Sequence, residues 1–331
     1  MTRIRRSFFP HGQKPSSPRP TAGQVCFCLL RTFCFLLILR NSEAAIQYMG
    51  HGLTLCAKTV IPSLFPFMVL SSIAIESGAL RSLCKIPARL FGRVFKISEE
   101  ATGAVIIGWL CGFPVGARSL CELYTGGLIS ASEYRRGVCI ASTPSPAFLI
   151  GAVGKGTFGS PLLGVALYII SVLFSAIIGA VMTRIDKAEA PCSPPKDKKK
   201  KSGSFASVFT HAVTSSASSM VSVCAFVVFF CAFLGVVEGT LSLFELSDTV
   251  TALIFSFFEL TSGISRIGEM SVALRLTLCG IAVGWSGLSV HFQTVSMCAD
   301  APFEIKPYVL AHLSKALLMG AACLALSGTL T

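Results

Sequence analysis

A single carboxylate, Glu259, is the residue of this sequence best placed to do chemistry. It follows the apolar stretch Val250 to Phe258 and opens the segment Glu259-Leu-Thr-Ser-Gly263, which also contains Thr261. A carboxylate near the centre of a membrane helix costs about 2.5–3.5 kcal/mol on insertion scales, so it normally faces a cavity, a cation or a hydrogen-bond donor. We expect Glu259 to bind a cation, a proton or a solute amine. The alternative is that it only caps free backbone amides.

A second set of polar side chains begins in the sequence Gly284-Trp-Ser-Gly287 and continues after it. These side chains form a stripe in an otherwise apolar segment and belong to Ser286, Ser289, His291 and Gln293. Such a stripe suits hydrogen-bonding recognition of a nucleoside-like solute. The alternative is helix packing, because small hydroxyl residues commonly pack membrane helices and a histidine can bind a backbone carbonyl.

Two further breaks in apolar sequence fall in the first half of the chain, at Gly112-Phe-Pro-Val-Gly116 and at Thr143-Pro-Ser-Pro146. Breaks at membrane depth expose backbone groups that neighbours, water or a solute must satisfy. We therefore expect either a site lining or simple kinks, with Gly112, Pro114, Gly116, Thr143 and Ser145 as the lining residues.

An ion pair is expected close to the first break. Arg118 and Glu122 are four residues apart, so they share one face of a helix. They are interpreted as an ion pair at the mouth of a gate, without direct contact to a ligand.

The sequence also contains an arrangement that resembles a catalytic pair. Gly284-Trp-Ser-Gly287 matches the GxSG sequence of rhomboid intramembrane serine proteases, and His312 follows Ser286 by 26 residues. That spacing leaves too little chain for the extra span that rhomboids place between serine and histidine. With no P-loop, dinucleotide fingerprint or HExxH sequence, we predict no enzymatic activity, cofactor or metal centre.

The composition indicates a membrane protein. Of 331 residues, 53% are hydrophobic and 13% are charged, with a mean hydropathy of +0.72, whereas soluble proteins carry about 25% charged residues. The net charge of +12 arises because the part of the chain before Phe205 is strongly basic, whereas the part from Phe205 onward is net acidic. This distribution favours cytoplasmic loops beside anionic lipid and excludes nucleic acid as a partner.

The order of segments predicts two halves. Full spans are expected at Val60 to Leu80, Leu162 to Met182, Met220 to Val237 and Tyr308 to Leu326, with residues 44–59 lying in the interface and seven to nine crossings in total. The predicted organisation is a disordered basic tail at 1–24, a membrane anchor at 25–43, a first repeat at 44–183, a Lys/Pro-rich linker at 184–204 and a second repeat at 205–331.

Each half reads as span, broken helix, broken helix, span. If the basic loops face the cytoplasm, the first span of each half runs in the opposite direction, so the halves are inverted. Inverted repeats with interrupted helices in matching places indicate a binding site at the membrane midplane of secondary transporters. The predicted fold is therefore an all-α polytopic membrane protein of two inverted repeats with broken or re-entrant helices.

Several blocks resemble a known family. They are Ile61-Pro-Ser-Leu-Phe-Pro-Phe67, Cys111-Gly-Phe-Pro-Val-Gly-Ala117, Glu259-Leu-Thr-Ser-Gly263, Gly284-Trp-Ser-Gly-Leu-Ser-Val-His-Phe-Gln293 and Lys306-Pro-Tyr308. In this order they are similar to the sporulation integral membrane proteins of the YlbJ type, from about residue 25 to 331. The resemblance implies nucleoside-recognition Gate domains, several membrane spans and a link to spore formation.

These expectations combine into one functional hypothesis with an alternative. The first is transport or recognition of a small polar solute or cation during sporulation, in the inner (cytoplasmic) membrane, with the tail and the 184–204 linker on the cytoplasmic side. The alternative is a structural or assembly protein of the spore envelope that moves no solute.

Overall fold

The computed structural model describes residues 32, 35–77, 85–185, 204–241, 244, 246–268 and 270–328. Within these residues the secondary structure is helical and contains no strands. The all-α fold predicted from the sequence is confirmed.

The first half contains seven α-helices and two π-helical segments in its described part. They are α1 (Ser42–Leu55), π1 (Cys56–Val60), α2 (Ile61–Glu76), α3 (Lys85–Phe95), α4 (Glu99–Cys111), α5 (Phe113–Thr125), α6 (Ala131–Ala141), π2 (Ala147–Thr157) and α7 (Pro161–Ile185). The second half continues with α8 (Phe205–Leu241), α9 (Asp248–Phe258), α10 (Leu260–Ser265), α11 (Val272–Trp285), α12 (Leu288–Met297) and α13 (Ile305–Ser327).

Four stretches of the described chain are long and apolar enough to cross a membrane. They are Pro161–Ile185, Phe205–Leu241, Val272–Met297 and Ile305–Ser327. A fifth crossing is formed if Ser42–Val60 and Leu64–Glu76, which meet at a bend of 51°, count as one span. This number is smaller than the seven to nine crossings expected, because the helices beside the breaks are too short to cross alone.

Helix α1 packs along α8 in the antiparallel direction, rather than lying apart in the interface as the sequence suggested. A Cβ on Gly235 would lie 2.6 Å from the carbonyl oxygen of Ala44, and one on Gly52 would lie 3.0 Å from Cys231 Cβ. Near one end of this pair, Tyr48 donates a hydrogen bond to Glu238. Small residues thus let two apolar helices approach closely, which holds residues 42–55 beside a spanning helix.

Helix α8 is longer than the predicted span, because the serine-rich stretch before Met220 continues the same helix. Its hydroxyls bond within the helix: Thr214 Oγ1 donates to the carbonyl of Thr210 at 3.0 Å, and Ser219 Oγ to that of Ser215 at 3.1 Å. Helical serine and threonine can satisfy their hydroxyls in this way, so the polar stretch remains helical.

Two charged side chains are buried where α6 meets the connection between α3 and α4. Glu133 accepts hydrogen bonds from the backbone N–H groups of Ser98 at 2.7 Å and Ser130 at 2.9 Å. Arg136 Nε donates to the carbonyl of Phe95 at 3.2 Å. Since both charges bond to backbone groups, they fix the start of α4 against α6.

The two halves contain similar elements in the same order. Helices α4 and α5 fold back on each other at Gly112, and α9 and α10 do so at Glu259. In each half a second interrupted helix follows, α6–π2 or α11–α12, and then a long helix packs against it, α7 or α13. The inversion of the two halves in the membrane stays a prediction.

The predicted domain boundaries also stay predictions. The tail at 1–24 and the first part of the anchor lie outside the described residues, as do residues 186–203 of the linker. Helix α7 continues through Arg184 to Ile185. It therefore ends two residues after position 183, where the composition placed the end of the first repeat.

Candidate functional site

The two breaks of the first half touch each other. Gly112, between α4 and α5, has a φ of 99°, a backbone conformation that residues with a side chain rarely adopt. A Cβ at this position would lie 3.3 Å from both the Cβ and the backbone nitrogen of Ser145, in the break between α6 and π2. Glycine therefore permits both the turn and the close approach of the second break.

The breaks of the second half meet in the same way. Gly287, between α11 and α12, has a φ of 84°, and the preceding Ser286 has a φ of 76°. A Cβ on Gly287 would lie 3.0 Å from the backbone nitrogen of Leu260 and 3.2 Å from Cα of Glu259. Each half of the protein thus contributes a pair of crossing breaks.

Both breaks of the first half and the break at Glu259 line one cavity of about 250 Å³, which we call the inner cavity. The predicted site residues that line it are Gly112, Pro114 and Ser145 from the first half and Glu259, Thr261 and Gln293 from the second. Apart from Thr59, the rest of its wall is apolar. The structure therefore brings together site residues that are separated by up to 181 positions in the sequence.

Glu259 both caps a helix and lines the inner cavity. Its Oε1 accepts a hydrogen bond from the backbone N–H of Thr261 at 3.0 Å, and its Oε2 accepts one from that of Ser262 at 2.6 Å. The residue is only 4% exposed. The two sequence interpretations are compatible, because a carboxylate oxygen has a second lone pair after accepting one hydrogen bond.

Other predicted site residues lie outside the inner cavity. Gly116 packs against α4, where its Cβ would lie 2.6 Å from Cα of Gly108. Thr143 is buried, and its Oγ1 has no hydrogen-bond partner among the described residues. Ser289 acts through a neighbour, because its Oγ accepts a hydrogen bond at 3.1 Å from Nε2 of the cavity residue Gln293.

His291 belongs to a buried cluster of rings beside the cavity. Its ring centroid lies 4.4 Å from that of Trp285, 5.3 Å from that of Tyr308 and 4.8 Å from that of His312. Tyr308 Oη donates to Thr294 Oγ1 at 3.2 Å. This ring cluster supports the wall behind Gln293, so the polar stripe divides between the cavity and the packing around it.

Ser286 and His312 approach each other, but their surroundings do not suit catalysis. Ser286 Oγ lies 3.5 Å from His312 Nδ1 and donates to the carbonyl of Val283 at 3.2 Å. His312 Nδ1 also lies 3.3 Å from the carbonyl oxygen of Gly284. A carbonyl only accepts, so that contact needs a proton on Nδ1, and a protonated Nδ1 cannot act as a base toward the serine.

Arg118 and Glu122 line a second, polar cavity of about 670 Å³, which we call the vestibule. Arg118 Nε donates to Glu122 at 2.9 Å, so the predicted ion pair is present. The same guanidinium donates to Ser216 at 3.1 Å and to Ser72 at 3.2 Å. It thereby connects α5 to α8 and α2.

Comparisons with known proteins identify one family model and one relative that match the sequence. The family model described as nucleoside recognition, named Gate, matches residues 57–188. Residues 57–188 are thus similar to a Gate domain. It is also 25% identical over 316 residues to the sporulation integral membrane protein YlbJ of Bacillus subtilis (strain 168), across 85% of this chain and 78% of the relative. No solved structure matches the chain.

The resemblance predicted from the sequence is therefore confirmed, and the chain is an integral, multi-pass membrane protein. The Gate domain provides Gly112, Pro114 and Ser145 to the inner cavity, whereas Glu259 and Gln293 come from the part that follows it. That the second half is a further Gate-like repeat stays a prediction, because the matched residues end at 188.

Lys315 is a residue that the sequence analysis missed. It lies in the middle of α13, is 2% exposed, and donates from Nζ to the carbonyl of Ser142 at 3.1 Å. That carbonyl belongs to the break of the Gate domain, next to the cavity residues Pro144 and Ser145. A lysine inside an apolar span is a signal of function or tight pairing, and it could have been noticed in the sequence.

Replacing Arg118 with alanine is expected to lower the free energy of unfolding by about 2–3 kcal/mol, the range for lost hydrogen bonds to a buried charged group. The buried hydroxyls of Ser72 and Ser216 would lose their donor. Thermal unfolding of the detergent-purified protein measures the effect. Arg135→Ala is the matched control, because its ion pair with Glu304 is exposed and such pairs contribute about 0–1 kcal/mol. Equal losses in both variants would contradict the connecting role of Arg118.

Proposed function

We propose that this Gate-domain protein binds a small polar solute in the inner cavity and transports it across the membrane. The observation that carries the proposal is a single cavity lined by three helix breaks, two from the first half and the one at Glu259, with the fourth break at Gly287 packed against Glu259. Irregular backbone at membrane depth is tolerated only where protein or an aqueous cavity satisfies it.

The size and lining of the cavity indicate the kind of solute. At about 250 Å³ it lies just below the range of about 300–1,000 Å³ for drug-sized ligands. Glu259 and Gln293 supply hydrogen-bond acceptors and donors, while Phe113, Phe148 and Val290 supply apolar surface. This combination suits a compact solute with one apolar face and several polar groups, such as a nucleobase, a nucleoside or an amine.

The proposed mechanism is alternating access, in which one half rocks against the other around a fixed central site. Transporters built from two repeats work in this way, with the site at the repeat interface. The division of the cavity lining between the two halves supports this mechanism. We place the protein in the cytoplasmic membrane with the 184–204 linker inside, and, by similarity to the sporulation relative, in spore formation.

The proposal is tested by a thermal-stability screen of the detergent-purified protein against nucleosides, nucleobases, amino acids, organic acids and cations. A ligand at a hundredfold excess over its Kd stabilises the folded state by about 2.7 kcal/mol, which is readily measured. We expect a stabilising compound, and we expect Gln293→Ala to lose most of its effect because Gln293 lines the cavity.

Ser286→Ala is the control, because Ser286 is buried outside the cavity, and its response to the ligand should equal that of the native chain. A screen in which no compound stabilises a well-folded sample would contradict the proposal and favour the structural role in the spore envelope. A ligand response lost in Ser286→Ala but kept in Gln293→Ala would place the site elsewhere.

A further inference from the structure

The inner cavity and the vestibule are lined by residues of the same four helices. On α5, Pro114 lines the inner cavity and Arg118 lines the vestibule, and the apolar residue Val115 lies between them. On α2, Leu64 lines the inner cavity, Ile75 lines the vestibule, and Met68 lies between them. Since helices rise 1.5 Å per residue, the lining residues on these two helices are about one to three turns apart.

The other two helices bring the lining residues of the two chambers closer together. On α8, Val223 lines the inner cavity, whereas Ser215 and Ser222 line the vestibule. On α12, Gln293 lines the inner cavity, whereas Ser296 and Met297 line the vestibule. The two chambers therefore adjoin along the same four helices.

An apolar cluster lies where the two chambers adjoin, and we call it the plug. Its buried members are Met68, Cys111, Val115 and Met220, all of them at most 6% exposed, and Met297 packs against them. Hydrophobic constrictions gate membrane pathways by excluding water. Methionine is unbranched and flexible, so three methionine side chains can clear a passage by changing rotamer without breaking a hydrogen bond.

Polar contacts hold the four helices together at the vestibule side of the plug. Ser222 Oγ and Ser296 Oγ share a hydrogen bond of 2.8 Å between α8 and α12. Arg118 binds Ser216 on α8 and Ser72 on α2. Because this end is fixed, movement of the plug side chains is the smallest change that joins the two chambers.

The charges along the route are mainly negative. The vestibule is lined by the carboxylates of Glu76, Glu122 and Asp300 against the guanidinium of Arg118 and the imidazole of His211. The inner cavity adds Glu259 as its one charged lining residue in the described chain. A narrow, acidic passage raises the local concentration of cations and repels anions.

We propose that the vestibule is the entry chamber of the inner cavity, that the plug is the gate between them, and that the route admits neutral or cationic solutes and excludes anions. This inference rests on the proposed function, since it supplies the access route and the charge class of the same solute.

The test measures access to a cysteine in the inner cavity, introduced as Thr261→Cys. The purified full-length protein is treated with a membrane-impermeant methanethiosulfonate that carries a trimethylammonium group, and modification at each cysteine is followed by peptide mass spectrometry. We expect Met220→Ala to speed modification at position 261 by about tenfold, equivalent to about 1.4 kcal/mol in gate opening. Met297→Ala, on another wall of the plug, should act in the same direction.

Two controls belong to this test. Met319→Ala removes an equally buried methionine outside the plug and should leave the rate at position 261 unchanged. Ser218→Cys, in the exposed part of the vestibule, should react at the same rate with or without Met220→Ala. A reagent with a sulfonate group should modify Thr261→Cys more slowly than the trimethylammonium reagent does.

The proposal is overturned if neither plug variant changes the rate at position 261, or if position 261 does not react in any variant. Equal rates with the cationic and anionic reagents would overturn the charge class. These readings need no ligand, so they are independent of the proposed function. If the plug variants change access but no compound stabilises the protein, the proposed transport of a solute is contradicted. If a compound stabilises the protein but the plug variants do not change access, only the proposed entry route is contradicted.

Discussion

Replacing Glu259 with alanine is expected to lower the free energy of unfolding by about 2–6 kcal/mol and to abolish the response to ligand. The carboxylate is a helix N-cap, and its loss leaves two buried N–H groups that cost about 1–3 kcal/mol each when unsatisfied. Those groups are the backbone amides of Thr261 and Ser262, which both bind the carboxylate. Thermal unfolding with and without ligand measures both effects.

Two further variants separate the cap from the charge of Glu259. Glu259→Asp keeps a charged N-cap, so it should keep most of the stability while moving the carboxylate away from the solute. Glu259→Gln keeps one acceptor oxygen and removes the charge, so it should lose the response to a cationic or amine ligand more than stability. If Glu259→Gln bound ligand as the native chain does, the carboxylate would have no role beyond capping.

Gly284→Ala is expected to destabilise the protein strongly, because α11 and α13 could no longer pack together. A Cβ at Gly284 would lie 2.5 Å from both the Cα and the backbone nitrogen of Ala316. No side-chain rotation relieves a clash with backbone, so α13 must shift. Overpacking of this kind typically costs about 1–3 kcal/mol, and more where a helix has to move. The yield of monodisperse protein after detergent extraction and its unfolding temperature measure the effect.

Gly151→Ala is the matched control for this clash. The position is in a helical segment like Gly284, but a Cβ there would meet no atom within 4 Å. We expect Gly151→Ala to change stability little, since the added methyl group meets open space. A Gly284→Ala protein as stable as Gly151→Ala would show that the approach of α11 to α13 is looser than the structure describes.

The helix breaks were predictable because their signals are local. Glycine, proline and the polar residues beside them interrupt an apolar pattern wherever they occur, so the interruptions at Gly112, at Thr143 to Pro146, at Glu259 and at Gly287 could be assigned from the sequence. Which break meets which depends on tertiary packing. The contacts of Gly112 with Ser145 and of Gly287 with Glu259 therefore became visible only in the structure.

Other features were missed because hydropathy averages over a window. Lys315 was averaged with its apolar neighbours in α13, although it is a buried amine that donates a hydrogen bond to the carbonyl of Ser142. The serine-rich start of α8 was left outside the span predicted from Met220 to Val237, because composition does not show that hydroxyls can bond to their own helix. The division of the polar stripe between Gln293, in the cavity, and His291, in the ring cluster, depends on helix rotation and was likewise not predictable.

The length of α8 has a consequence for how the protein fits the bilayer. The helix has 37 residues, about 55 Å at 1.5 Å per residue, against a hydrocarbon thickness of about 30 Å. Its apolar part, from Met220 to Leu241, is about 33 Å long and matches that thickness, so α8 needs neither a strong tilt nor a thickened bilayer. With this apolar part across the hydrocarbon, we expect the serine-rich part to extend into the headgroup layer. The mouth of the vestibule is then expected to face lipid headgroups and water rather than acyl chains.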